Sequence, residues 1–318
     1  MTTPTSPGLS IPDPLIAPLR DAGYLVNQIS AITGAPAPEV ARRLHDEYCD
    51  LGGSVRRAMR EQGIEPHTWS DELIRFYDST DAFLYETTAW NRSVAKNRMR
   101  QWVGRCLNAT AQGRPLRVLT YGDGLGFDSF YLSEAGHDVD YFDVSRHGAV
   151  FARQICEDFG QSIRVLDSEE AVQANQYDAV ICLDVLEHVP EPEQTVAFLA
   201  RALRDGGQLL VHAPFWYVTS AVATHLRSNR RYSGNAGLYV RQGLRPVDGY
   251  WFWNPLALVK SGAAKFRSLG AAVRVGMGGW LLTVARWWSM PHAWVWRQLY
   301  RRQWRPWNEL AALAEGTS

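Results

Sequence analysis

The sequence lacks paired cysteines, a net charge and an uninterrupted apolar run of membrane-spanning length. Its four cysteines are scattered without a C-x-x-C pair, which argues against a thiolate zinc or iron–sulfur site and predicts reduced thiols in the cytoplasm. The formal net charge is +0, so composition indicates no nucleic-acid partner. The most apolar stretch fails as a transmembrane span because Arg286 lies within it and Pro291 interrupts it. We predict no metal site.

Changes in composition divide the chain into four parts. Residues 1–12 are rich in Pro, Thr and Ser and lack the features of a signal peptide, so we expect a disordered tail. Residues 13–110 show helical periodicity without strand-like alternation, which predicts an all-helical cap or dimerisation region. In residues 111–254, short apolar runs alternate with amphipathic stretches, which predicts a doubly wound α/β domain with a mostly parallel sheet. Residues 255–318 are predicted to form a helical extension.

The predicted extension is basic and rich in tryptophan. Residues 255–308 contain no Asp or Glu, nine Lys or Arg and seven of the thirteen tryptophans. These aromatic rings can pack on the domain or line a pocket, lie in the headgroup zone of a membrane surface, or form an oligomer or partner interface. The membrane hypothesis predicts salt-sensitive binding to anionic vesicles that deletion of residues 276–308 abolishes.

The first chemical signal is a glycine-rich turn in the segment VLTYGDGLG, residues 118–126. Gly122, Gly124 and Gly126 follow a predicted strand and precede a predicted helix. Glycine there lets the backbone pass close to a ligand, and the helix N-terminus offers free N–H groups. The third glycine comes one residue early for a G-x-G-x-x-G fingerprint, which disfavours a nicotinamide-dependent oxidoreductase. A tight turn without a ligand is the structural alternative.

Polar residues follow the next two predicted strands. Asp143 lies about twenty residues past the first glycine, where an acid can accept both hydroxyls of an adenosine ribose. Its alternative role is to cap the helix that starts near Ser145. Asp167 and Ser168 follow the third strand, where a polar side chain can meet an adenine amino group or cap the next helix.

A further polar cluster follows a fully apolar strand. Leu183 and Asp184 end this strand, and Glu187 and His188 lie on the turn behind it. Two carboxylates and an imidazole at the carboxyl edge of a sheet are typical of a functional site. The structural alternative for His188 is a hydrogen bond to a loop carbonyl.

Four segments in order resemble a known family: VLTYGDGLG, YFDVS, YDAVICLDVLEHV and GGQLLVHAP. They resemble the class I S-adenosylmethionine-dependent methyltransferases, and most of all the ubiquinone-biosynthesis O-methyltransferase branch, where D-V-L-E-H-V is typical. The likeness covers about residues 115–215. It implies a seven-stranded Rossmann-like sheet and methyl transfer from S-adenosylmethionine to an oxygen or nitrogen of a small-molecule acceptor, such as a secondary metabolite.

The resemblance also implies which residues meet the cofactor. The loop and strand-end residues expected to contact it are Gly122, Asp123, Gly124, Gly126, Asp143, Asp167, Ser168, Leu183 and Asp184. The glycine loop would surround the methionine part, Asp143 would hold the ribose, and Asp167 would border adenine. The pair Leu183 and Asp184 would close the pocket beside the sulfonium.

The chain departs from the family at one position. Thr120 stands two residues before the first glycine, where the family usually has an acid that orients the cofactor's amino group. Our hypothesis is that Asp123 provides this attraction instead. In such families a leading helix also covers the cofactor, and Tyr77, Tyr85 and Trp90 are the candidates here.

The acceptor side is expected after the fifth strand. The family resemblance places His225 in the acceptor pocket, and we predict it to be a base or an orienting group; an ordinary surface histidine is the alternative. His188 and His212 are further candidate bases, while Tyr217 and Tyr232 could shape the pocket. Two rival functions are an elimination or cyclisation on the same fold, in which no S-adenosylhomocysteine accumulates, and a membrane-peripheral lipid methyltransferase.

Overall fold

The computed structural model describes residues 9–260, 265–287 and 308–315. Most of the predicted tail and residues 288–307 of the tryptophan-rich stretch lie outside these ranges. Within them, no helix is both long and apolar enough to cross a membrane. The predictions that the extension meets a membrane, a partner or a second copy therefore stay predictions.

The first third of the described chain is helical, as predicted. Its helices are α1 (Ala22–Thr33), α2 (Ala37–Cys49), α3 (Gly53–Glu61), α4 (Asp71–Ser79), α5 (Ala82–Asn91) and α6 (Val94–Ala111). Polar side chains start several of them by accepting a free backbone N–H: Asp21 accepts from Tyr24, and Ser93 accepts from Lys96.

The helices are followed by a seven-stranded sheet in the order β3-β2-β1-β4-β5-β7-β6. Its strands are β1 (Arg117–Tyr121), β2 (Asp138–Phe142), β3 (Ile163–Val165), β4 (Tyr177–Leu183), β5 (Leu203–His212), β6 (Leu244–Gly249) and β7 (Leu256–Lys260). Strands β1 to β5 are parallel, and β7 runs antiparallel to β5 and β6. The predicted doubly wound, mostly parallel fold is confirmed. The strand order reverses between β1 and β4, where ligands of such sheets bind.

Helices cover both faces of the sheet. They include α7 (Phe127–Glu134), α8 (Arg146–Asp158), α9 (Pro192–Ala202), α10 (Gly237–Val240) and α11 (Leu269–Ala285). A further helix, α12 (Asn308–Ala314), packs against α1 and α2 of the cap. The predicted boundary at residue 254 needs correction, because β7 belongs to the sheet and lies beyond it. A five-residue apolar run does not reveal from its pattern whether it is strand or helix.

The helical cap shares one hydrophobic core with the sheet. Leu25 and Leu107 of the cap join Val118 of β1 and Ile181 of β4 in one buried cluster. Because these side chains exclude water together, the cap and the sheet form one packed body. The opposite face of the sheet is covered by α9, α10 and α11, which form a second cluster.

Helix α11 shows one apolar face to solvent. Its exposed side chains repeat at intervals of three or four residues and include Val273, Met277 and Trp280, the last of which is 67% exposed. Its other face packs on β6 and on the turn between β6 and β7, where Trp253 donates a hydrogen bond to the carbonyl of Val275 at 2.9 Å. An exposed apolar face of this kind is compatible with the predicted contact of the extension with a membrane surface or a partner.

Candidate active site

A cavity of about 650 Å³ lies between the carboxyl ends of the central strands and the helical cap. From the sheet it is lined by Tyr121 of β1, Phe142 of β2 and His212 of β5. From the cap it is lined by Tyr77 of α4 and Trp90 of α5. A cavity of this size and mixed character is typical of a small-molecule site.

The glycine-rich turn after β1 forms one wall of the cavity. Gly122, Gly124 and Gly126 have φ values of 75°, 61° and 74°, a region that side-chain-bearing residues rarely adopt. A Cβ at Gly122 would lie 2.4 Å from Val185, and a Cβ at Gly126 would lie 2.4 Å from Ala152. Gly122 and Gly124 line the cavity, whereas Gly126 packs behind it against α8.

Asp143, at the end of β2, lines the cavity beside this turn. Its two oxygens accept backbone N–H groups from Gly124 at 2.7 Å and from Ser145 at 2.8 Å. Burial raises the pKa of its carboxyl group, and these two hydrogen bonds oppose that change. Ser145 itself caps α8 by accepting from Gly148, so the side chain of Asp143 is not the cap of that helix. A carboxylate oxygen can accept a second hydrogen bond, which would come from a ligand.

Asp123 does not face the cavity, contrary to our hypothesis that it attracts the cofactor's ammonium group. Its carboxylate caps α7, accepting backbone N–H groups from Asp128 at 3.1 Å and from Ser129 at 2.7 Å. Burial, together with the nearby charge of Asp128, raises its pKa to about 7. Thr120 is buried, and its hydroxyl lies 2.6 Å from that of Ser129. These contacts stabilise the glycine turn on the side that faces α7 rather than the cavity.

Asp184 lies at the centre of the cavity wall, in a left-handed conformation with φ 62°. It accepts a hydrogen bond from the indole of Trp90 at 2.9 Å and is paired with the Lys96 ammonium at 3.4 Å. His212 donates to its other oxygen. Burial alone would raise the pKa of Asp184, but His212 and Lys96 outweigh it and hold the pKa far below its usual range. An ionised carboxylate therefore faces the cavity and links the cap to the sheet.

Two charged residues of the cap were missed by sequence reasoning. Lys96, 4% exposed, pairs with Asp128 at 3.0 Å as well as with Asp184. Glu86 lines the cavity, and burial with the neighbouring Glu47 raises its pKa to about 8. Both residues lie on ordinary helical patterns whose partners come from distant parts of the chain. No local spacing signal could have identified them.

The far side of the cavity contains two histidines next to one glutamate. The Nε2 atoms of His188 and His225 lie 3.8 Å and 4.0 Å from a carboxylate oxygen of Glu187. The His188 Nδ1 atom lies 3.2 Å from the carbonyl of Thr224, as the structural alternative foresaw, and the His225 Nδ1 atom lies 2.7 Å from the carbonyl of Tyr217. Burial lowers the pKa of His188 to about 4. Burial, together with the neighbouring His188, holds the pKa of His225 well below its usual value.

The carboxylate of Glu187 has an unusual environment. Its side chain is 1% exposed, and both oxygens are buried without a hydrogen-bond partner among the described residues. Burial and the charge of Asp184 raise its pKa well above the usual value. His225 is likewise buried, so the surface-histidine alternative does not fit the structure.

A known protein family matches the part of the chain that contains the glycine turn, Asp143 and Asp184. Residues 91–257 match the family model described as a methyltransferase domain, which covers more than half of the chain. The chain belongs to this methyltransferase family. Family membership confirms the predicted class I methyltransferase and, with it, S-adenosylmethionine as the cofactor.

Curated relatives of this methyltransferase align with it over only part of their own length. The ubiquinone biosynthesis O-methyltransferase of Aromatoleum aromaticum is 34% identical over 158 residues, which are 48% of this chain and 62% of the relative. The protein of the same name from Bordetella avium is 36% identical over 111 residues, which are 34% of this chain and 45% of the relative. The chain thus spans less than two thirds of either relative.

Among solved structures, one match is Burkholderia thailandensis 1,6-didemethyltoxoflavin-N1-methyltransferase with bound 1,6-didemethyltoxoflavin and S-adenosylhomocysteine. It shares 18% sequence identity with this methyltransferase at a TM-score of 0.41. The match covers 54% of this chain and 81% of that one.

The cavity brings together most, but not all, of the residues predicted from the sequence. Those that line it are Tyr77, Gly122, Gly124, Asp143, Asp184, His188 and His225, with Trp90, His212 and Tyr217. Other predicted residues do not line it: Tyr85, Asp123, Gly126, Asp167, Ser168, Leu183 and Tyr232. Asp167 is exposed beyond β3. There the wall is formed by the aromatic rings of Tyr121 and Phe142, whose centroids lie 5.4 Å apart.

Proposed function

We propose that the protein transfers the methyl group of S-adenosylmethionine to an oxygen or nitrogen of a small-molecule acceptor. The observation that carries this proposal is a single cavity with two chemically different ends. The glycine turn and Asp143 form one end, and the two neutral histidines form the other. Methyl transfer needs both partners side by side, because proximity supplies much of the rate.

The first end of the cavity suits a nucleoside with a charged amino-acid tail. Gly122 and Gly124 leave no side chain between the backbone and a ligand, and Asp143 has acceptor capacity for ribose hydroxyls. The anionic Asp184 would attract the positive charge of the cofactor. When bound, S-adenosylmethionine supplies an electrophilic methyl group on a sulfonium centre.

The second end suits an acceptor that must be oriented and lose a proton. Backbone carbonyls accept from Nδ1 of His188 and of His225, so each neutral ring presents its Nε2 lone pair. Such an atom can accept a proton from a hydroxyl or an amine or fix its direction. The aromatic ring of Tyr77 lies beside that of His188, with centroids 6.4 Å apart, and Trp216 also lines the cavity.

The test is formation of S-adenosylhomocysteine from S-adenosylmethionine in the presence of small acceptors. Oxygen acceptors should be tried first, because curated relatives are named O-methyltransferases. We expect one equivalent of S-adenosylhomocysteine for each methylated product, and a large loss of rate in Asp143→Ala. A product formed without S-adenosylhomocysteine would instead support the elimination or cyclisation alternative and contradict the proposal.

A further inference from the structure

The cofactor carries a charge for which the glycine turn offers no partner. S-adenosylmethionine has an ammonium group on its methionine part, and a charged group that leaves water needs a hydrogen-bonded partner of opposite charge. Thr120 stands where the family usually has the acid for this group, and Asp123 caps α7 instead of facing the cavity. The partner of the ammonium group therefore has to come from another part of the cavity wall.

Glu86 differs from the other acidic side chains of the cavity because it has no partner. Among the described residues, the acidic side chains that line the cavity are Asp50, Glu86, Asp143, Asp184 and Glu187. Asp50 pairs with an arginine of α3, and both oxygens of Asp143 accept backbone N–H groups. The oxygens of Asp184 bind side chains of the cap and of β5, and Glu187 lies beside the two histidines at the acceptor end. Glu86 forms neither a hydrogen bond nor an ion pair with any described residue.

Glu86 lies on the part of α5 that covers the glycine turn. Thr87 and Trp90 line the cavity with it, because residues three or four apart on a helix share one side. The Cγ2 atom of Thr87 lies 3.3 Å from the position that a Cβ would take at Gly124, and Trp90 donates a hydrogen bond to Asp184. Glu86 is thus next to the residue that covers the turn and one helical turn from the residue that reaches the end of β4.

The charges around the cavity favour a cation. Arg98 is the one Lys or Arg among its described lining residues, against five acidic side chains. The titratable or charged side chains that act on Glu86 or respond to its charge are Glu47 of α2, Arg56 of α3, Tyr77 of α4 and Asp184. Burial and the negative charge of Glu47 raise the pKa of Glu86 to about 8. An ammonium group beside this carboxyl favours its ionised form, so the carboxyl loses its proton when the cation binds.

We propose that Glu86 binds the ammonium group of the cofactor's methionine part, in place of the acid that the family usually has before its first glycine. The inference rests on the cofactor end of the cavity in the proposed function and adds the anchor for the amino-acid tail. Asp184, the alternative partner, already shares its charge with Lys96 and His212. Because Glu86 belongs to α5, cofactor binding then depends on the cap as well as on the sheet.

The experiment compares S-adenosylhomocysteine with its deamino analogue, which keeps the carboxylate and lacks only the ammonium group. Both ligands are titrated calorimetrically into the full wild-type chain and into Glu86→Gln. We expect the wild type to prefer S-adenosylhomocysteine by about ten- to a hundred-fold, the contribution of a charged hydrogen bond, and Glu86→Gln to lose most of this preference. The affinity for the deamino analogue should be nearly the same in both proteins, which also shows that the variant is folded.

A second readout is the proton that Glu86 releases. At pH 7 the wild type should release about one proton for each S-adenosylhomocysteine bound, because binding of the cation lowers the pKa of a carboxyl that is protonated in the free protein. Titrations in buffers with different ionisation enthalpies measure this release. Glu86→Gln should show none, and an unchanged proton release in this variant would contradict the assignment.

The matched control is Asp143→Ala, which removes a carboxylate from the ribose end of the same site. This variant should bind both ligands more weakly and keep the preference for S-adenosylhomocysteine. An equal preference in Glu86→Gln and in the wild type, or no preference in the wild type, would overturn the role of Glu86 and leave the cofactor site standing. No binding of either ligand by the wild type would contradict the cofactor end of the cavity itself, and this inference with it.

Discussion

Burial changes the chemistry of single side chains in this cavity, and Glu86 is a clear case. Its carboxyl group faces the cavity, where burial and the neighbouring Glu47 raise its pKa to about 8. Arg56 lowers this pKa but does not cancel the effect, and Asp184 also raises it. In the unfolded chain the group titrates near 4.5, so folding changes how tightly the proton is held.

The stability of the protein should therefore depend on pH through Glu86. Between pH 4.5 and about 8 the folded state keeps a proton that the unfolded state has lost, so this contribution to stability falls as pH rises. Glu86→Gln removes that dependence. In urea unfolding we expect the variant to gain stability relative to wild type from pH 5 to pH 8, whereas the exposed control Glu61→Gln should show a constant difference. Parallel profiles for Glu86→Gln and wild type would contradict this account.

The sequence predicts that a residue lines the cavity where the local pattern fixes its place at the end of a strand. Asp143 and Asp184 follow apolar strands directly, so the carboxyl edge of a parallel sheet brings them together. Asp123 follows the same logic but caps α7, because its side chain reaches the free N–H groups of Asp128 and Ser129. Whether an aspartate at such a position contacts a ligand or caps the next helix depends on the direction of its side chain, which the sequence pattern does not specify.

At the scale of elements, the turn between β1 and α7 should tolerate very little change. Gly126 combines a φ of 74° with a Cβ position 2.4 Å from Ala152, so Gly126→Ala would be strained and overpacked. We expect a loss of about 2–5 kcal/mol in the free energy of unfolding. Gly160 has a φ of 67° with no atom within 4 Å of its Cβ position. Gly160→Ala should cost only about 1–2 kcal/mol, the strain alone.

Chemical denaturation of both variants measures this difference. Equal losses in the free energy of unfolding for the two variants would show that the close contact between Gly126 and Ala152 of α8 adds little to the cost of the substitution. Binding of S-adenosylhomocysteine by folded Gly126→Ala would then report whether the turn also sets the shape of the cofactor site.

The strands were easier to predict than the boundary of the domain. Strand β4 is a run of seven buried residues, all of them apolar or aromatic except Asp178, and the parallel strands beside it also contain short buried apolar runs. Strand β7 was placed in the extension because its neighbours in the sequence are basic and rich in tryptophan. Its place between β5 and β6 follows from long-range pairing, which depends on the whole sheet.

At the scale of the molecule, the cap completes a site that the sheet alone would leave open. Trp90 and Lys96 reach from α5 and α6 to Asp184, and Tyr77 of α4 lies 3.2 Å from the Nδ1 atom of His188. These contacts join residues separated by about a hundred positions in the sequence. Sequence reasoning named Tyr77 and Trp90 only because the family resemblance implied a covering helix. The helical pattern of the cap and the strand pattern of the sheet do not specify how the cap is oriented relative to the sheet.

The most direct test of the central claim is calorimetric titration of the full chain with S-adenosylhomocysteine. Asp143→Ala should weaken binding by about 1.5–3 kcal/mol, or roughly ten- to a hundred-fold, because it removes a charged acceptor next to the glycine turn. Asp138→Ala, at the exposed opposite end of β2, is the matched control and should bind like wild type. Micromolar binding that Asp143→Ala weakens and Asp138→Ala keeps is the result we predict. No binding by the wild-type chain would contradict a cofactor site in this cavity.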